Sequence, residues 1–117
     1  MNIFKKFRAS LRLREAIRQA DEAHKETGER YYVMPTSGNS GQLIIMDRYN
    51  FRKFKQKGYI SRKASISNME QECFYCTPYR NGKDGLSVFI LKMKRKAYYS
   101  WLVSLEKSKD YGKIRKH

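Results

Sequence analysis

Two apolar runs decide how this chain folds: Arg30-Tyr31-Tyr32-Val33-Met34-Pro35 and Gln42-Leu43-Ile44-Ile45-Met46-Asp47, separated by Thr36-Ser37-Gly38-Asn39-Ser40-Gly41. The first is aromatic and β-branched, and the second is a continuous apolar run of strand length. The residues between them are turn formers, so the segment predicts an antiparallel hairpin. Leu43–Met46 is apolar on both faces, which predicts the more central strand. Pro35 has no N–H to donate to a ladder and suits a strand end.

Upstream of the hairpin, Phe4, Phe7, Leu11 and then Leu13, Ile17, Ala20 and His24 recur at three- and four-residue spacing. That period predicts a helix over 3–27, ended by Gly28. Lys5, Lys6, Arg8, Arg12, Arg14 and Arg18 lie between these positions, mostly in the first half, and Asp21, Glu22 and Glu26 gather in the second. This order opposes the helix dipole by roughly a few tenths of a kcal/mol per charge near each end. Either these cations are simply solvated, or a negatively charged partner matches them. The Phe4/Phe7/Leu11 stripe with its basic flank also admits a membrane-surface role.

Downstream, Asn50 predicts the N-cap of a short basic helix that holds Phe51 and Phe54 and stops at Gly58. Ser67-x-x-Glu70 matches a capping box. Glu72-Cys73-Phe74-Tyr75-Cys76-Thr77 reads as a third strand, ended by Pro78 and followed by a turn over 80–85. Phe89, Met93, Ala97, Trp101 and Leu105 lie four apart and predict a helix over 86–106. The last stretch, 107–117, is a basic tail that composition predicts to be mobile. The expected fold is therefore α+β: a small antiparallel sheet of about three strands, with a long N-terminal and a long C-terminal helix on one face. Residues 1–106 form a single domain and 107–117 the tail.

The chain has 117 residues, enough for one core and too few for two full domains. Nine Tyr, six Phe and one Trp argue against a disordered chain. Charge is the strongest compositional signal: 26 Lys and Arg against 11 Asp and Glu leave a formal net charge of +15. Such a molecule concentrates polyanions around itself. The cations that interleave with aromatics or line a helix are the candidate partner- or phosphate-binding residues. They are Lys5, Lys6, Arg8 and Arg12 on the first helix, and Arg52, Lys53, Lys55, Lys57, Arg62 and Lys63 around the short helix. Lys94, Arg95 and Lys96 on the last helix complete the set. Tyr49, Phe51, Phe54 and Tyr59 alternate with the second group, and exposed rings there could stack on bases. Helical spacing places Phe51, Phe54 and Trp101 in the core instead.

No pattern predicts an enzyme or a cofactor. Cys73-Phe74-Tyr75-Cys76 supplies two of the four ligands of a structural zinc site, and the two histidines, His24 and His117, are remote from it in sequence. A thioredoxin-like redox pair sits at a helix N-terminus, where the dipole activates the thiol. This pair reads instead as part of a strand, which disfavours redox work and points its thiols to opposite faces, one buried and one near the surface. His24 reads as a packed histidine, with no nucleophile at recognisable spacing. The 36–41 segment lacks the Gly-x-x-x-x-Gly-Lys signature of a phosphate loop. Asp47 reads as a cap or as a partner of Arg48. No apolar run is long enough to span a bilayer. The start, Met1–Arg8, has no apolar core of a signal peptide, so the expected location is the cytoplasm or a particle assembled there.

Several stretches resemble small basic proteins of crAss-like tailed phages and of the gut Bacteroidales they infect. They are Arg30–Pro35, Leu43–Arg48, Asn50–Lys53, Lys57-Gly58-Tyr59-Ile60 and Glu72–Tyr79. The resemblance spans about residues 30–80 and carries no residue roles. It implies a virion component, or a small phage protein that contacts DNA or the host. The expected function is a non-enzymatic structural or assembly protein, plausible as a minor or auxiliary capsid component, docking on an acidic protein surface or packaged DNA. The alternative is a free cytoplasmic nucleic-acid-binding protein.

Overall fold

The computed structural model describes the backbone of residues 1–115 and the side chains through Ser108. The element order is α1 (Ile3–Thr27), β1 (Tyr32–Pro35), β2 (Leu43–Met46), α2 (Arg48–Gln56), α3 (Ile66–Glu72), β3 (Tyr75–Cys76) and α4 (Val88–Arg115). The three strands form one antiparallel sheet, so the fold is α+β.

Local chemistry sets the helix ends. Asn2 accepts a hydrogen bond from the Lys5 amide and caps α1; Gly28, at φ +78°, closes it with an N–H bond to His24. The expected start of α2 at Asn50 moves back, because Asp47 accepts from the Asn50 amide and is the N-cap. The capping box of α3 is formed by Ser65 and Asn68 rather than by Ser67 and Glu70. Ser87 accepts from the Ile90 amide at the start of α4. That helix runs past residue 106 to Arg115; of the expected tail, Lys116 and His117 lie outside the described residues.

The strand order is β2-β1-β3, so β1 is central and β2 is an edge. This corrects the expectation drawn from the two-faced apolarity of Leu43–Met46. The sheet is covered on both sides rather than one, and even its edge strand meets apolar neighbours on each face. Val33, Leu43, Ile45 and Tyr75 point toward one core with Ala9, Leu13, Ala16, Ala20, Phe74, Tyr98 and Leu102. Tyr32, Met34, Met46 and Cys76 point the other way, toward Phe51, Met69 and Cys73. The register Tyr32↔Met46 and Tyr32↔Cys76, with Val33↔Ile45 and Val33↔Tyr75, produces this alternation.

Small residues let α1 approach the sheet: Ala9 and Ala20 are fully buried. α4 runs antiparallel to α1, since Glu106 meets Met1 and Lys5 while Tyr98 donates to the Ala9 carbonyl at 2.9 Å. Phe74 stacks edge-on against Tyr98 and tilts against Trp101, welding β3's flank to α4. Gly41 is buried at φ +74°, and a Cβ there would stand 2.8 Å from Leu102 Cδ2. Only glycine lets the hairpin loop close onto α4.

Candidate partner-binding surfaces and a buried thiol pair

Because Ala9, Leu13, Ala16 and Ala20 face the core, a rotation of 100° per residue turns Phe4, Phe7 and Leu11 to the opposite side of α1. They are 74%, 64% and 45% exposed. Over its first turns the most apolar stripe of the helix is therefore its outer one, while the inner face is built from alanines with Leu13 and Ile17. Lys5, Arg8 and Arg12 run along one edge of this stripe. With Asn39, Ser40, Gly41, Leu102, Leu105 and Glu106 they line a pocket of about 350 Å³. Glu106 pairs with Lys5 at 3.5 Å and with the Met1 amine at 3.7 Å. Arg8 and Arg12 have no carboxylate within ion-pair distance among the described residues. Lys6 lies over the Tyr99 ring at 5.6 Å on the other side. The first acid of the chain is Glu15, which with Glu22 is engaged by Arg18.

The second group divides. Arg52, Lys53, Lys57, Arg62 and Lys63 are exposed, and Arg52, Lys55, Gln56 and Arg62 line a shallow groove. Lys55 itself is half-buried and donates to the Ala64 carbonyl at 2.6 Å, which ties the loop after α2 back to that helix. Tyr49 and Tyr59 are 64% and 75% exposed, with the Lys53 ammonium 4.9 Å from the Tyr49 ring. Phe51 is buried and Phe54 half-buried, as helical spacing requires.

The third group also divides. Arg95 and Lys96 are exposed beside Phe89 and Met93, which the expected core stripe places inside. The inward face of α4 is Lys94, Tyr98, Trp101, Leu102 and Leu105. Lys94 donates to the carbonyls of Glu70 at 3.0 Å and Cys73 at 2.8 Å. It caps the C-terminal turn of α3 and is not presented to a partner.

The two thiols, expected on opposite faces, are both buried in one cluster, each 2% exposed. α3 ends at Glu72, Cys73 is its extended C-cap, and pairing begins only at Tyr75, so strand alternation does not govern Cys73. Cys73 Sγ donates to the Glu70 carbonyl at 3.3 Å and lies 3.4 Å from Lys94 Nζ. Arg30, 8% exposed, donates to Cys76 Sγ at 3.0 Å. Its guanidinium stacks 4.4 Å from the Tyr79 ring centre and 5.6 Å from that of Tyr32. Its Nε has no hydrogen-bond partner, and no carboxylate pairs with it among the described residues. The neighbouring Cys73 thiol, with Arg30 and Lys94, holds the Cys76 pKa below the ordinary thiol value, against the opposing effect of burial. The nearness of Cys76, with burial, pushes Cys73 up. Burial works against the Arg30 charge, yet the Cys76 sulfur and the two phenols more than offset it, and its pKa is raised. Close by, Glu70 accepts from the Tyr32 and Tyr79 hydroxyls, and Arg48 donates to Tyr79 at 2.6 Å. Burial lifts the Tyr32 pKa to about 12. In sequence Arg30 reads only as the start of a strand; its position between a helix-ending glycine and the central strand is the overlooked signal.

His24 is bound through Nδ1 to the Glu29 carbonyl at 2.7 Å and fastens the end of α1. Among the described residues, no three His, Cys, Asp or Glu side chains gather as metal ligands would. No helix among them is long and apolar enough to cross a membrane. Comparison with protein-family models, curated proteins and solved structures finds no match.

Proposed function

We propose that this is a non-enzymatic basic assembly protein that docks the outer face of α1 on an acidic protein surface. One observation carries the reading: Phe4, Phe7 and Leu11 stand uncovered on α1, and the exposed Arg8 and Arg12 of the same helix pair with no carboxylate among the described residues. Apolar side chains that could have faced inward are instead presented together, which marks an interaction surface. The partner's chemistry follows from charge. No acid precedes Glu15, and a net +15 disfavours a second copy of this chain. The partner offers an apolar ridge bordered by carboxylates. The resemblance to crAss-like phage proteins supplies the setting, a minor or auxiliary capsid component near packaged DNA. Size-exclusion and pull-down against purified virion proteins, in the presence of nuclease, test this. Retention by wild type and loss in Phe4→Ser/Phe7→Ser supports it; absence from purified particles overturns the virion setting. Flotation with anionic vesicles and no protein partner would reassign the face to a membrane surface.

A second reading has its own support. Tyr49 and Tyr59 are exposed, the Lys53 ammonium lies over the Tyr49 ring and Arg52 is exposed on the same helix; rings and cations of this kind stack on bases and neutralise phosphates in single-stranded nucleic acid. On this reading the protein acts free in the cytoplasm, and its affinity falls with salt by roughly 0.7 log units per phosphate contacted for each tenfold rise. A flat salt response rejects it.

A further inference from the structure

Neither docking surface uses the most unusual cluster in the molecule. Arg30 is buried, lacks a carboxylate partner among the described residues and leaves Nε unpaired, so its charge needs an anion inside the fold. The atom that its Nη2 meets is Cys76 Sγ, at 3.0 Å. A second cation, Lys94, reaches the Cys73 sulfur. The surrounding groups come from every neighbouring element: Tyr32 of β1, Arg48 of α2, Glu70 of α3, Tyr79 of the following loop and Lys94 of α4. Glu70, the one carboxylate here among the described residues, is taken by the Tyr32 and Tyr79 hydroxyls and by Arg48 at 3.9 Å. That leaves the thiols to balance Arg30.

We propose that Cys76 stands in the folded protein as a thiolate, the counterion of Arg30, and that with Cys73 it forms a dithiol site modified by low-molecular-weight disulfides. Two cations pointed at the sulfurs oppose a metal cation there and favour a nucleophilic sulfur. The chemistry balances with glutathione disulfide as oxidant. The Cys76 thiolate attacks one glutathione sulfur, forming a mixed disulfide and expelling one glutathione thiolate. Cys73 gives up its proton to that thiolate and attacks the Cys76 sulfur. The Cys73–Cys76 disulfide forms and a second glutathione thiolate leaves. β3, which carries Cys76, pairs with β1 through only two residues, so release of a short segment rather than of the whole core can expose the sulfurs. Closing the disulfide removes the anion beside Arg30, so the oxidised protein is the less stable form.

Thiolate ultraviolet absorbance of the full-length reduced protein, followed against pH, tests the first half. One of the two cysteines should remain ionised well below the ~8.5 of a free thiol. Intact mass after incubation with glutathione disulfide tests the second half. Wild type should lose two hydrogens, Cys73→Ser should stop at one glutathione adduct, and Cys76→Ser should show neither the low-pH absorbance nor intramolecular closure. A single two-thiol step near the ordinary value in wild type overturns the thiolate, and needs no variant to be seen. A native protein left unmodified by glutathione disulfide overturns the site.

Discussion

Replacing Lys94 by Met separates two roles that the sequence alone confuses. As a surface cation its loss would cost nothing in stability. In the structure its ammonium bonds the carbonyls of Glu70 and Cys73, at 3.0 and 2.8 Å, in the final turn of α3. Those carbonyls lie where a helix leaves its acceptors without intrahelical partners. A charged hydrogen bond contributes about 1.5–3 kcal/mol. Lys94 is half-buried, so solvent screens part of this, while methionine keeps the apolar stem in place. The pair of bonds together should then contribute about 2–3 kcal/mol. With a urea dependence of about 1–3 kcal/mol per molar, the unfolding midpoint should fall by roughly 1–2 M. Lys96→Met, two residues on and fully exposed, is the control and should change stability by less than about 0.5 kcal/mol. If Lys94→Met unfolds at the same urea concentration as Lys96→Met, the inward placement of Lys94 is wrong and so is the packing of α4 on α3.

Gly41→Ala should destabilise by about 2–4 kcal/mol in the same assay, adding left-handed backbone strain to a clash with Leu102. The cysteine pair predicts a domed pH profile. Below the ordinary thiol value, about 8.5, the unfolded chain holds a proton on Cys76 that the native state has released, so stability rises with pH. Above it the unfolded chain has lost both thiol protons while native Cys73 keeps one, so stability falls. Neither slope should exceed about 1.4 kcal/mol per pH unit, and a double Cys→Ser variant should flatten the dome in denaturation series. For the nucleic-acid reading, Tyr59→Ala should weaken binding to single-stranded DNA without changing its salt slope, whereas Lys53→Met should reduce the slope; fluorescence anisotropy measures both.

The reach of the sequence differs from element to element. The extent of α1 is legible, since its apolar period and Gly28 agree with its observed bounds. Its orientation is not. Phe4, Phe7 and Leu11 are more hydrophobic than Ala9, Ala16 and Ala20, but close approach to a sheet selects small side chains. A helix with a second, outward apolar stripe defeats any reading that equates hydrophobic with inside. The hairpin is legible; its central strand is not, because β3 is two residues long and its pairing to β1 rests on contacts some forty residues apart. Of the candidate cations, Lys5, Arg8 and Arg12 converge on one pocket while Lys6 lies over Tyr99, and Lys55 and Lys94 go to backbone carbonyls. Period alone cannot tell a capping lysine from a solvated one. The thiol cluster is hidden for the same reason: Arg30 and Cys76 are separated by 46 positions and joined only by the sheet.

The most direct test of the central claim is the comparison of Phe4→Ser/Phe7→Ser with wild type in two assays at once. Both rings are mostly exposed, so the variant should unfold at the wild-type urea concentration. Covering them on docking is worth about 1–2 kcal/mol each, so affinity for the acidic partner recovered from nuclease-treated particles should drop by roughly 30-fold or more. Unchanged stability with lost docking is the predicted result. A variant that binds as tightly as wild type, or one that unfolds because those rings belong to the core, contradicts it.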